Sequence, residues 1–191
     1  MRYPVSVVLI ALLFACACGD DDAPAADAST SAADGAVVSV DGSLGEDLNM
    51  QAGDFECIKN GTKVGKYFVA NNLGHLDAAL SAANSPTGGT FPVGTILQLI
   101  PQEAMVKRAV GWNPTTNDWE FFALTVSGDT TTINTRGNEG VENQFGGNCF
   151  DCHSKAAPQW DLVCETTHGC DPLQLSDSVI TFLQDGDGRC P

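Results

Sequence analysis

Basic residues are scarce in this chain: nine Lys and Arg stand against 24 Asp and Glu in 191 residues, a formal net charge of −15. Phosphate backbones and anionic lipid surfaces repel so acidic a chain, which excludes nucleic acid and charge-driven membrane binding. A protein docking on it by charge would need a basic contact face. Long hydrophobic runs are missing too. The apolar stretch Val5 to Ala15 is too short to span a bilayer in the mature protein, and no later segment is longer. No methionine follows Met105, so the C-terminal part offers no thioether sulfur. Residues 19–49 hold no aromatic residue and no Lys or Arg.

What is present begins with a leader. Arg2 supplies a positive start, the run Val5–Ala15 follows, and Leu13-Phe14-Ala15-Cys16 resembles a bacterial lipobox. The resemblance implies cleavage before Cys16 and lipid on its thiol. Cys18 is the alternative anchor, and an ordinary signal peptide is the plainer reading. The expected location is the bacterial periplasm or cell envelope, with the membrane reached only through the lipid. Gly19 to about Asn49 is Ala, Asp, Ser and Gly, too polar to offset its ordering entropy by burial, and reads as a disordered tether. The expected division is a leader over 1–15, an acidic tether over 16–49 and one domain over 50–191. Eight of the 24 acids lie in the tether, and the domain carries 16 acids and eight bases, a net charge of −8.

Within the domain, Lys66-Tyr67-Phe68-Val69 reads as a short strand. Asn72 is placed to cap a helix with Leu73, Leu76, Leu80 and Ala83 on one face. Thr95–Ile100, Ala104–Val110, Trp119–Val126 and Thr130–Thr135 read as strands, the last two as a hairpin across Ser127-Gly128-Asp129. Gly137–Asn148 reads as a flexible glycine-rich loop. Ser176 caps a final helix carrying Val179, Ile180, Phe182 and Leu183, with Gly186 beyond it. The fold class expected is α+β, an antiparallel sheet with flanking helices.

The loop leads into Cys149-Phe150-Asp151-Cys152-His153. Two thiols three positions apart can add to the two vinyl groups of one porphyrin, and the next residue then turns an imidazole to the iron. The motif therefore points to one covalent haem c, bound through Cys149 and Cys152 and ligated by His153. Export agrees, since such haem is attached outside the cytoplasm. A redox dithiol would sit at a helix start after a strand in a βαβ unit. A zinc site would need a second ligand pair, which the sequence lacks. A plain structural disulfide is the remaining alternative.

A Met/His electron carrier of the usual small type takes its sixth ligand from a methionine beyond the motif, and none exists here. Met50 and Met105 lie far upstream; His75 and His168 read as solvated. The expectation is a five-coordinate iron with an open sixth position, suited to a small molecule rather than to electron relay alone.

Several stretches add a resemblance. Phe91-Pro92-Val93-Gly94-Thr95-Ile96-Leu97, Ala104-Met105-Val106-Lys107, Asp118-Trp119-Glu120-Phe121, and the motif followed by Asp161-Leu162-Val163 resemble, in order, segments of the cytochrome P-460 family, which includes cytochrome c′-beta. The resemblance covers about residues 66–164. It implies haem packed against one sheet face and either of two activities. Cytochromes P-460 oxidise hydroxylamine with a lysine-cross-linked haem; the c′-beta type lacks the cross-link and binds nitric oxide in an apolar pocket. The strand after Gly94-Thr95 reads Ile96-Leu97-Gln98-Leu99-Ile100, without lysine, which favours the second. Lys107 reads as a solvated strand residue. Leu99, Phe121 and Phe122 are distal-wall candidates, although alternation lets at most one of the two phenylalanines face haem. The expected functions are thus binding of a small gaseous ligand such as nitric oxide, oxidation of hydroxylamine or a similar nitrogen compound, or electron transfer with His75 or His168 as sixth ligand. A basic redox partner protein and a homodimer are the macromolecular partners open to it.

Cys57, Cys164, Cys170 and Cys190 allow three pairings, of which Cys164–Cys170 and Cys57–Cys190 are favoured. Loop-closure entropy assigns them about 2 and about 5 kcal/mol. Asp185-Gly186-Asp187-Gly188 faintly resembles a calcium loop but lacks its later ligands, and reads as a solvated turn.

Overall fold

Six strands form one antiparallel meander in the computed structural model, which describes residues 45–191. They are β1 (Thr62–Val64), β2 (Tyr67–Asn71), β3 (Thr95–Gln98), β4 (Glu103–Lys107), β5 (Trp119–Ser127) and β6 (Thr130–Gly137), side by side in chain order. Three short helices accompany them: α1 (Leu76–Ala83), α2 (Cys149–His153) and α3 (Asp177–Asp185). The α+β class and the antiparallel sheet are as expected. No helix among the described residues is long and apolar enough to cross a membrane. The leader, Cys16, Cys18 and the tether up to residue 44 lie outside the described residues.

Register sorts side chains by face. Val69 pairs with Leu97, Leu97 with Met105, and Met105 with Phe121. This transverse row belongs to a core with Tyr67, Ala79, Phe91, Trp119, Val141 and Val163. One position along each strand, the direction reverses. Ile96, Ala104, Val106, Phe122 and Leu124 pack on the far face with Met50 and Phe55. Helix α1 and the 141–163 segment cover the near face; the N-terminal segment covers the far one.

Some boundaries differ from expectation. Asn72 does not cap a helix: the Oδ1 of Asn71 accepts from the backbone N–H of Leu73 and His75, and α1 begins at Leu76. Residues 45–49 are not tether. The Asp47 carboxylate takes a bidentate contact from Arg108 at 2.8 and 2.6 Å and accepts from Ala109 N–H. An acidic side chain read as tether is thus a half-buried partner of Arg108, which composition cannot reveal. Asp187 is likewise no solvated turn residue: it is buried, binds Arg189, and accepts from Ile58 N–H. Cys57 and Cys190, which flank it, are bonded to each other, as are Cys164 and Cys170. On α3, Ser176 accepts from Val179 N–H, but Val179 and Phe182 face solvent while Ile180 and Gln184 are buried.

Gly94 shows why one glycine is required. Its φ is +82°, and an added Cβ would lie 2.6 Å from the Leu73 side chain. It turns the chain into β3 with its N–H on the Lys107 carbonyl at 2.8 Å.

Candidate functional site

The loop before α2 is a hydrogen-bonded structure rather than a slack connection. Asn143 N–H reaches Gly147 O, Asn148 Nδ2 donates to Glu139 O, and Cys149 N–H donates to Val141 O. Asn148 then caps α2, accepting from Asp151 N–H at 3.0 Å. One helical turn carries Cys149, Cys152 and His153 to a cavity of about 340 Å³ lined by all three.

The imidazole is oriented from behind. His153 Nδ1 lies 2.7 Å from the Leu162 carbonyl, which requires the proton on Nδ1. Nε2 then carries the lone pair and has no hydrogen-bond partner among the described residues. Burial lowers the His153 pKa, keeping the ring neutral. A neutral imidazole fixed through one nitrogen to a carbonyl is the arrangement of a metal-ligating histidine.

The two thiols are unbonded, whereas the other four described cysteines are paired. Burial pushes Cys149 up to about 12, with the Glu103 charge adding, and burial also raises Cys152. Both shifts run opposite to the lowered thiol pKa of a redox dithiol or a nucleophilic cysteine.

The opposite wall comes from the sheet. Tyr67, Leu97, Leu99 and Met105 give it an apolar surface. Phe121 lies 5.3 Å, centroid to centroid, from the His153 ring, so it flanks the imidazole instead of standing across from it. Phe122 points to the far face, where it meets Phe55, and is no wall residue. Leu99 lines the cavity.

Glu103 and Met105 are among the lining residues that escaped the sequence. Glu103 brings a carboxyl whose Oε1 is buried without a hydrogen-bond partner, and burial raises its pKa to about 7. Met105 brings a thioether; its distance from the motif in sequence hid a position that the β3–β4–β5 register places on the cavity side. A strict period of two from Phe121 through its strand partner could have revealed both.

His75 and His168 do not line the cavity. His75 pairs with Glu46 at 2.7 Å; His168 stacks on Trp160 at 3.7 Å and contacts the Val163 carbonyl through Nδ1. Lys107 is not solvated and does not line the cavity either: it is buried against Asp161. Lys66 is the lysine at the cavity, and its ammonium pairs with Asp177 at 2.8 Å, which raises its pKa and holds it protonated. The cluster Cys57, Asp187 and Cys190 could resemble a metal site, but its sulfurs form a disulfide and its carboxylate serves Arg189 and Ile58.

The donor set fits a c-type haem. Two unbonded thiols, a neutral imidazole with a free Nε2 and an apolar wall share one cavity. Compared with protein-family models, curated proteins and solved structures, the chain matches none.

Proposed function

We propose that this chain is an exported, lipid-anchored c-type haem protein whose iron keeps an open sixth position for a small neutral ligand such as nitric oxide. Cys149 and Cys152 would hold the porphyrin through thioether bonds, and His153 Nε2 would ligate the iron. Haem c supplies a redox-active, ligand-binding metal when bound. The carrying observation is that Cys149, Cys152 and His153 line one cavity while both thiols stay unbonded. In an oxidising compartment such neighbours would pair unless their sulfurs were otherwise engaged.

The wall supports the choice of ligand. Leu97, Leu99 and Met105 offer no hydrogen-bond donor, so the part of the wall they form suits a neutral diatomic. Residues 96–100, which follow Gly94-Thr95, hold no lysine, which supports the haem type without a lysine cross-link. The likeness to the cytochrome P-460 family, and to its c′-beta branch, belongs to this reading. The acidic domain suits a basic protein as redox partner.

Two observations favour other readings. Glu103 places a carboxyl of pKa about 7 at the cavity, suited to taking a proton from hydroxylamine or a similar substrate. Met105 gives an electron carrier a candidate sixth ligand. Absorption spectra of the purified reduced protein, with and without nitric oxide, separate the three. A broad five-coordinate Soret band that shifts with nitric oxide supports the proposal. A strongly red-shifted band supports the oxidase, and sharp low-spin bands indifferent to the gas support the carrier.

A further inference from the structure

Four segments spread through the chain meet at one buried point behind the imidazole. Phe91 precedes β3, Lys107 ends β4, Trp119 begins β5, and Asp161 follows the turn Pro158–Trp160. Lys107 Nζ donates to both Asp161 oxygens at 2.9 and 2.8 Å. The same carboxylate accepts from Phe91 N–H at 2.9 Å, and the Asp161 carbonyl accepts from Trp119 Nε1 at 2.7 Å. Lys107 also donates to the Asn117 carbonyl at 2.6 Å and lies 4.9 Å from the Trp119 ring centroid. Phe91 packs edge-on against Trp119 at 5.6 Å. All four residues are buried.

So concentrated a polar cluster, away from the cavity lining, needs a task. The backbone it grips names one. Asp161 and Leu162 have φ of +49° and +62°, two consecutive left-handed residues, neither of them glycine. Such a conformation persists only where its surroundings over-determine it. Here the Asp161 side chain and carbonyl are both clamped, and the next carbonyl, of Leu162, is the one turned onto His153 Nδ1 at 2.7 Å.

We propose that Lys107, Trp119 and Asp161 are positioning residues for the axial histidine: they hold the left-handed turn that aims the Leu162 carbonyl at His153. This rests on the haem reading above. None of the three touches the cavity, and the cluster acts through one backbone carbonyl. That carbonyl fixes the imidazole's rotation and its tautomer, and by accepting from Nδ1–H it makes Nε2 a stronger donor. Loosening the clamp weakens that hydrogen bond. The iron–histidine bond then softens, and the reduced iron becomes easier to keep.

The experiment compares wild type with Asp161→Asn and Trp119→Phe as purified full-length proteins. Asp161→Asn removes the charge that holds Lys107. Trp119→Phe deletes the indole donor and keeps an aromatic ring, and it is the variant read should Asp161→Asn fail to fold. Haem staining after denaturation comes first: stain in wild type keeps the underlying haem reading, and its absence overturns that reading and this one together. In stained, folded variants the iron–histidine stretching band of the reduced protein should move to lower frequency. The reduction potential should rise, with a smaller shift in Trp119→Phe. Folded variants whose band and potential both match wild type would overturn the positioning role and leave haem binding standing.

Discussion

On the far face of the sheet Phe55 meets Phe122 edge-on at 5.1 Å, and Met50, Val106 and Leu124 close the layer. On the near face the same alternation turns Leu97 and Met105 to a cavity that also holds two thiols and an imidazole, with Phe121 beside the imidazole ring. The far face has a cavity too, about 410 Å³ against about 340 Å³. Its lining includes the amides of Asn60, Asn71, Asn72 and Gln98, with Cys57 already locked in a disulfide. Size therefore does not mark the site; the groups left without partners do. Charged groups divide in the same way. Arg108, Asp47, Glu120 and Arg136 satisfy one another on the far side, and Lys107 and Asp161 do so on the near side, whereas Glu103 at the cavity keeps a buried oxygen unpaired.

That contrast can be broken by mutation. Removing Cys149 and Cys152 together, each to Ala, should abolish covalent haem completely; persisting stain on a denaturing gel would end the near-face account. The disulfides come next, by their separations of 133 and 6 residues. Losing Cys57–Cys190 should cost about 5 kcal/mol and losing Cys164–Cys170 about 2 kcal/mol, read from denaturant midpoints. Equal costs would show that the two staples do not differ as loop closure requires. Phe122→Ala should cost about 3–5 kcal/mol and leave the absorption of the folded fraction unchanged; an altered Soret band would give the far face a part in the site.

Acid and base should separate the faces in opposite directions. The Arg108 hydrogen bond holds the Asp47 carboxyl below its ordinary 3.8. The stability it contributes is present above that value and is lost as pH falls through the depressed folded one. Burial raises Glu103 from 4.5 to about 7. The folded state then binds the proton more tightly than the unfolded one, so stability falls as pH rises from about 4.5 to about 7. Glu103→Gln should remove that second slope and leave the acid limb; an unaltered slope between those values would show that Glu103 is not buried as described. The smallest effect is expected at Met105→Leu, a volume-conserving change costing under about 1.5 kcal/mol, with the spectrum unchanged. A shift from low to high spin would instead identify Met105 as an iron ligand.

Much of this was legible in the sequence, because strand alternation and caps are local. The strands at Thr95 and Trp119, the hairpin to Thr130 and the Ser176 cap follow from residue type and spacing. The motif was legible for the same reason, being one helical turn. What was not legible depends on register and pairing across long separations. Lys107 reads as solvated until the turn at residues 158–161 brings Asp161 beside it, 54 positions away. Asp47 reads as tether until Arg108 meets it, 61 positions away. Phe121 and Phe122 exchange roles with one step of strand register, and only the pairing of Met105 with Phe121 decides which lines the cavity. Polar residues bury where a partner waits, and the partner's identity is not a local property.

The most direct test is mass analysis of the peptide spanning residues 149–153, cleaved from native protein without reduction. The haem account predicts that both sulfurs there carry one porphyrin and that no free thiol or disulfide remains at Cys149 and Cys152. A peptide of unmodified mass, or one with those two sulfurs bonded to each other, would contradict it.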